Sequence, residues 1–294
     1  MRGQIIDAVF ENMSTNPDTF FLTADMGINL VEKIQEAYPD RYCNVGIAEQ
    51  NLIGVSAGLA NLGYRPFAYT ISNFNVHRCY EQIRNEIGIN GHPIVLLGTS
   101  TGYDNAPLGP THHIIDDWGA IRNIPGIDIY CPSSVKFAEN LVSKIFERNR
   151  SAYVRIPKGG FKEPDSSEDI VLINGKGEGS TLLISYGSIV QNCLAVQKEC
   201  PSVAVLAFNC LRPIDEKVVG KIISRYEKVF VVEDHFPRTG LYNVLCELLI
   251  ENEIQKKITS IAPPSIYDLE VGVSPDFYHR KFGLDVAGIQ KATL

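Results

Sequence analysis

Apolar runs of strand length alternate with segments of helical period along almost the whole chain, and this alternation restricts the folds open to it. In the first half the runs are Thr19–Thr23, Tyr42–Val45, Pro66–Ile71, Pro93–Gly98, Ile127–Cys131 and Ala152–Ile156, with helical patterns between them at Gln4–Met13, Leu30–Tyr38, Ala48–Leu62, Val76–Ile87 and Ser133–Arg148. Strands that are apolar throughout must be covered on both faces. The pattern therefore predicts doubly wound α/β domains with mainly parallel sheets between helical layers. From Phe161 to Ser180 the alternation gives way to Pro, Gly, Ser and acidic residues, and a linker is expected over 164–180, its glycine-rich run at 175–179 a flexible connection. Beyond it the alternation resumes with runs in 182–188, 203–208, 228–234 and 256–262 and helices near Ile189–Cys200, Asp215–Tyr226 and Leu241–Glu251. Two domains are expected, 1–163 and a smaller one at 181–294.

Composition narrows the partners. The 294 residues suffice for two cores, and 27 Lys+Arg against 34 Asp+Glu leave a formal charge of −7 with no basic cluster. That balance argues against nucleic acid or an anionic membrane and favours a small molecule or another protein. No apolar run approaches the ~18 residues that span a bilayer, and the N-terminal segment lacks the apolar core of a signal peptide. Seven cysteines, an odd number without a Cys-x-x-Cys pair, suggest neither a disulfide framework nor a zinc site. A cytoplasmic location is the expectation.

The segment Asn44-Val-Gly-Ile-Ala-Glu-Gln-Asn-Leu-Ile-Gly-Val-Ser-Ala-Gly-Leu-Ala-Asn-Leu-Gly63 carries the most chemistry. A strand ends near Val45, a turn follows at Gly46, and Glu49 falls in the first turn of a small-residue helix. By itself Glu49 reads as an acid complementing the helix dipole. Gly54 and Gly58, four apart, put small residues on one face and let another backbone approach closely. The carboxylate then sits near a dry interface, where desolvation favours holding or sharing a proton.

The run Gly-Ile-Ala-Glu-Gln followed by Ala-Gly-Leu-Ala-x-Leu-Gly resembles the pyrimidine-binding domain of the transketolase family. The likeness continues through Ser72-Asn73-Phe74, Tyr80-Glu81-Gln82-Ile83-Arg84, Gly109-Pro110-Thr111-His112 and Ile124-Pro125 leading to Pro132-Ser133. Tyr186-Gly187-Ser188, Leu211-Arg212-Pro213-Ile214-Asp215 and Val232-Glu233-Asp234-His235 are similar to the family's C-terminal domain. The resemblance implies thiamine diphosphate as cofactor, with the Glu49 carboxyl hydrogen-bonded to a ring nitrogen of its aminopyrimidine and so helping to generate the nucleophilic thiazolium carbon. It also implies that Phe74 stacks on that ring and that Asp25 belongs to the cofactor-binding set. His112 would be catalytic and contact a sugar hydroxyl or carbonyl. Thr23, Ser100, Leu108 and Arg155 would complete the substrate site, Arg155 through the forked donors that suit a phosphate.

Other readings compete at several positions. A structural ion pair competes for Arg155, and a core phenylalanine for Phe74. His113 reads better as a turn residue, and Asp116 and Asp117 read as helix-start acids rather than ligands of a metal. Leu108 stands where the family's typical member has an aspartate that reads substrate hydroxyls, and Ser100 where a second phosphate-binding histidine is expected, so the sugar is expected to differ from the ordinary pentose phosphates.

A complete member of that family is similar to this chain plus an N-terminal domain of comparable size, whose Gly-Asp-Gly and downstream Asn hold magnesium and diphosphate; no Gly-Asp-Gly occurs in this sequence. The expectation is a split transketolase that moves a two-carbon ketol unit from a ketose to an aldose. The Mg²⁺ and diphosphate would be held mainly by an N-terminal transketolase subunit in an α2β2 heterotetramer acting on sugars or sugar phosphates. The alternatives are a beta subunit of a 2-oxo acid dehydrogenase, a deoxyxylulose-phosphate-synthase-like enzyme, and a scaffolding subunit without catalysis.

Overall fold

The computed structural model describes residues 1–174 and 180–293; the glycine-rich run at 175–179 lies outside the described residues. Twelve strands are described: β1 (Thr19–Thr23), β2 (Tyr42–Asn44), β3 (Arg65–Ile71), β4 (Val95–Thr99), β5 (Ile127–Tyr130), β6 (Ser151–Ile156), β7 (Ile170–Ile173), β8 (Thr181–Tyr186), β9 (Val203–Phe208), β10 (Cys210–Arg212), β11 (Lys228–Val232) and β12 (Thr259–Ile261). They form a seven-stranded sheet in the order β10-β5-β6-β4-β3-β1-β2 and a five-stranded sheet in the order β12-β11-β8-β9-β7. Every pairing is parallel except the two that involve β10 and β7. The continuous burial of β1, β4 and β6 follows from helices on both faces.

Local signals in the sequence explain several boundaries. Ser134 accepts a hydrogen bond from the Phe137 amide at the start of helix Val135–Arg148, and Asn149 ends that helix in the left-handed conformation. Asp215 caps helix Glu216–Ser224 by accepting from the Val218 amide. No helix among the described residues is long and apolar enough to cross a membrane.

Two expectations need correction. The stretch expected as a linker over 164–180 contains β7, an edge strand antiparallel to β9. Its four residues are all half-buried, so a short edge strand showed neither the length nor the full apolarity that marked the central strands. The helical pattern Val76–Ile87 is broken: helix Ser72–Val76 ends before an irregular turn through His77, Arg78 and Cys79, then helix Tyr80–Ile83 opens into a π-helical turn at Arg84–Ile89. Such wide turns gather at functional sites.

The halves are not simply strung together. β10, from the second half, adds antiparallel to β5 in the first sheet, and one apolar cluster joins Leu52, Trp118 and Ile129 to Leu182, Leu211 and Leu245.

Candidate active site

The chain runs outward from β1 to β2 and returns on the other side of β1 to β3, so strand order reverses beside β1. A crevice beyond the C-terminal strand ends is the expected ligand position in such a sheet. Asp25 follows β1, Glu49 follows β2, Phe74 follows β3, and Ser100, Leu108 and His112 follow β4. Asn44, the last residue of β2, ties two of these ends together. Its Oδ1 accepts from the amides of Asp25 (3.0 Å) and Gly46 (2.9 Å), while its Nδ2 donates to Asp25 Oδ1 at 3.1 Å. Asp25 is exposed and Gly46 has φ +74°, a conformation that favours glycine.

Glu49 opens helix Glu49–Asn61 and is only 2% exposed. Arg78 Nη1 donates to its Oε2 at 2.6 Å, and Oε1 carries no hydrogen bond among the described residues. The Arg78 guanidinium lies 4.5 Å from the centre of the Phe74 ring, whose other neighbour, the His112 imidazole, packs against it edge-on at 5.1 Å. Three of the expected residues, Glu49, Phe74 and His112, are thus brought together, with Arg78 bridging the first two. Burial lowers the pKa of His112 from its usual value, favouring the neutral ring, and its Nδ1 is 2.9 Å from Thr111 Oγ1.

Beside this group lies a cavity of about 370 Å³ bordered by Phe74, His77, Arg78, Thr111, Asp116 and Tyr267. Tyr267, from the second half, donates to Asp116, whose other oxygen is 3.0 Å from His77 Nε2. The hydrogen bond to Asp116 raises the pKa of His77. Gly109 keeps the Gly-Pro-Thr-His loop in place: its φ is +80°, and a Cβ there would lie 2.4 Å from Val271.

Other expected residues are walled off. Thr23 is buried, and its hydroxyl donates to the Met26 carbonyl at 2.9 Å while accepting from the Met26 amide. Ser100 is 2% exposed, and its Oγ donates to Asn105. Arg155 is completely buried, donating through Nε and Nη2 to the two carboxylate oxygens of Asp117 at 2.7 and 2.9 Å. The structural ion pair therefore replaces the expected phosphate contact, because a guanidinium with no accessible surface cannot meet a diffusing ligand. Leu108, by contrast, is 58% exposed on the loop before His112. His113 packs between Tyr103 and Tyr278, ring centres 5.1 and 4.9 Å away, with neither ring nitrogen hydrogen-bonded among the described residues.

The sequence reading did not single out Arg78, His77 or the Asp116–Tyr267 contact. Arg78 lies just before Tyr80-Glu81-Gln82, inside the recognised stretch, yet an arginine in a helical pattern looks like any solvent-facing charge. The break after Val76 instead places it in an irregular turn, from which its head meets Glu49.

A buried polar cluster fastens this floor to the second half. Trp118 Nε1 donates to Tyr186 Oη, which donates to Glu233 Oε2; Glu233 also accepts from the amides of Leu241 and Tyr242. Burial pushes Glu233 up to about 7 and Asp234 up to about 6, and drives His235 down to about 4 despite Asp117 at 3.7 Å. His235 is thus neutral when folded, whereas an unfolded chain protonates it near ~6.5. Its stabilising contribution is complete above ~6.5 and is lost as pH falls toward 4. In urea titrations at pH 7 and pH 5, wild type should lose about 2 kcal/mol more than His235→Gln. The acids pull the opposite way but are common to both proteins; equal losses would show that the ring is not held neutral.

Glu49 and Phe74 fit an aminopyrimidine: a buried carboxylate with a free oxygen lies near an aromatic ring at the mouth of a cavity. Among the described residues no group of three His, Cys, Asp or Glu side chains is placed to hold a metal ion.

Together, two mainly parallel sheets and a crevice where strand order reverses beside β1 define a two-domain α/β protein of the doubly wound type. Comparison with known proteins specifies the family. Residues 1–163 match the transketolase pyrimidine-binding domain and residues 172–289 the transketolase C-terminal domain, so the chain belongs to the transketolase family. It is 26% identical to one subunit of the apulose-4-phosphate transketolase of Phocaeicola vulgatus, with 100% of this chain and 96% of that subunit aligned. It is also 31% identical to a 1-deoxy-D-xylulose-5-phosphate synthase of Neisseria meningitidis, over 79% of this chain but only 37% of that protein. A split-gene transketolase solved as an inactive beta4 tetramer superposes with a TM-score of 0.84 at 27% identity, covering 99% of this chain and 97% of that one. The transketolase of Leishmania mexicana, at 16% identity and a TM-score of 0.78, shares the fold, with 44% of its length covered.

Proposed function

We propose that this chain is the pyrimidine-binding subunit of a two-chain transketolase, moving a two-carbon ketol unit from a ketose to an aldose with thiamine diphosphate. The observation that carries the reading is the buried Glu49 carboxylate beside Phe74, in a chain that aligns with 96% of one transketolase subunit and covers 97% of a split-gene transketolase chain. When bound, the cofactor would supply a nucleophilic carbon able to cleave and form bonds next to a carbonyl. Glu49 would hold a pyrimidine nitrogen and share a proton with it, and Phe74 would fix the plane of the ring. His112, neutral and adjacent, would hydrogen-bond a hydroxyl or carbonyl of the sugar. Asp25, exposed beyond β1, would approach the cofactor from the next strand end. Leu108 would border the sugar with an apolar surface.

A partner subunit would carry Mg²⁺ and the diphosphate, in an α2β2 assembly in the cytoplasm. The purified chain is expected to show no ketol transfer, and the chain mixed with such a partner to transfer from ketose donors. Full turnover by the chain alone would overturn the two-chain reading. The identity to deoxyxylulose-phosphate synthases supports a second reading, in which a 2-oxo acid is the donor. Carbon dioxide release from pyruvate by the two-chain enzyme, without transfer from ketoses, would favour it.

A further inference from the structure

Arg78 makes both contacts that the proposed function assigns to the cofactor's pyrimidine. Its guanidinium lies on the Phe74 ring at 4.5 Å and its Nη1 donates to Glu49 Oε2 at 2.6 Å. A guanidinium and an aminopyrimidine are alike in the relevant chemistry: each is planar and delocalised, with in-plane N–H donors. Each can therefore cover an aromatic face while its edge meets a carboxylate.

The Arg78 side chain is built to move. Its backbone is held, since Gln50 Nε2 donates to the Arg78 carbonyl at 3.0 Å. Its head has no side-chain hydrogen bond other than that to Glu49 among the described residues, and the side chain is 46% exposed. It also borders the cavity of about 370 Å³, which offers a place to turn into beside Asp116. The ion pair has a purpose in the free chain: a carboxylate as buried as Glu49 is costly to leave uncompensated.

We propose that Arg78 is a displaceable occupant of the pyrimidine site, and that its departure toward the cavity is part of cofactor binding. This rests on the proposed function and adds to it a residue that sets cofactor affinity. Only the fraction of molecules with the guanidinium swung away can accept the ring, and the apparent dissociation constant is raised by the inverse of that fraction. One exposed-side ion pair and one cation–π contact together correspond to a factor of about ten.

The test is calorimetric titration of thiamine diphosphate, with Mg²⁺ present, into the two-chain enzyme carrying wild-type chain or Arg78→Ala. The variant is expected to bind about tenfold more tightly. Arg78→Gln, which keeps a donor for Glu49 but loses the charge, is expected to tighten binding by a smaller factor and stands in should Arg78→Ala not fold. Equal or weaker binding by the variants, with wild type binding normally, overturns the role of Arg78 and leaves the proposed function standing. Absence of cofactor binding by wild type overturns both.

Discussion

Replacing Glu49 by Gln is expected to lower ketol transfer by the two-chain enzyme by a factor on the order of 10²–10⁴ while folding and subunit pairing persist. The amide has the same shape and can still accept from Arg78, whose Nη1 lies 2.6 Å from Glu49 Oε2. It cannot exchange a proton with a ring nitrogen, and that exchange is the chemistry assigned to the residue. The free chain should therefore lose no more than about 1 kcal/mol, the usual worth of an ion pair with one exposed partner. The measurement is kcat with saturating cofactor, beside thermal melting and sedimentation of the assembled enzyme. Turnover close to wild type would remove Glu49 from the proton path. Melting or dissociation in parallel with lost activity would make its role structural.

The fold was legible in the sequence where residues are buried on both sides. The runs read at Thr19–Thr23 and Ala152–Ile156 correspond to β1 and, within one residue, to β6, because central parallel strands have no polar face to blur them. Edge strands carry no such mark. β7 is half-buried along its length, and β10 has three residues and joins the sheet of the other half. Nothing local in Cys210–Arg212 reveals a pairing with Ile129 and Tyr130, eighty residues earlier.

The candidate site was legible in a different way. Glu49 stood out because a small-residue helix around it implied a close, dry contact, and Phe74 and His112 because they lie in ordered motifs. The residues whose roles depend on tertiary partners were not readable: whether an arginine serves a ligand or a buried acid is decided by what faces it. Arg155 meets Asp117 and is sealed, whereas Arg78 meets Glu49 and stays half open. Arg155 falls in an apolar strand run and Arg78 in a helical pattern, and neither context names the acid that faces it.

Arg155 provides the sharpest test of that distinction, and Arg155→Met is expected to destabilise the folded chain by about 3–5 kcal/mol. The guanidinium satisfies both oxygens of Asp117, with the Tyr153 hydroxyl donating to Oδ2 at 2.6 Å, and all three side chains are fully buried. Removing the cation leaves a carboxylate in a dry site with one neutral donor and the His235 imidazole 3.7 Å away. Removing both charges leaves no such orphan, so Asp117→Asn with Arg155→Met should recover a large part of the loss, as a double-mutant cycle would show. Urea unfolding of the three variants measures this directly, and steady-state kinetics supplies the contrast. An arginine that contacts a substrate phosphate would, when replaced, raise KM for phosphorylated sugars and leave the unfolding midpoint where it was. The buried pair predicts the reverse: a lowered midpoint, and in molecules that remain folded a KM that does not discriminate between phosphorylated and unphosphorylated acceptors.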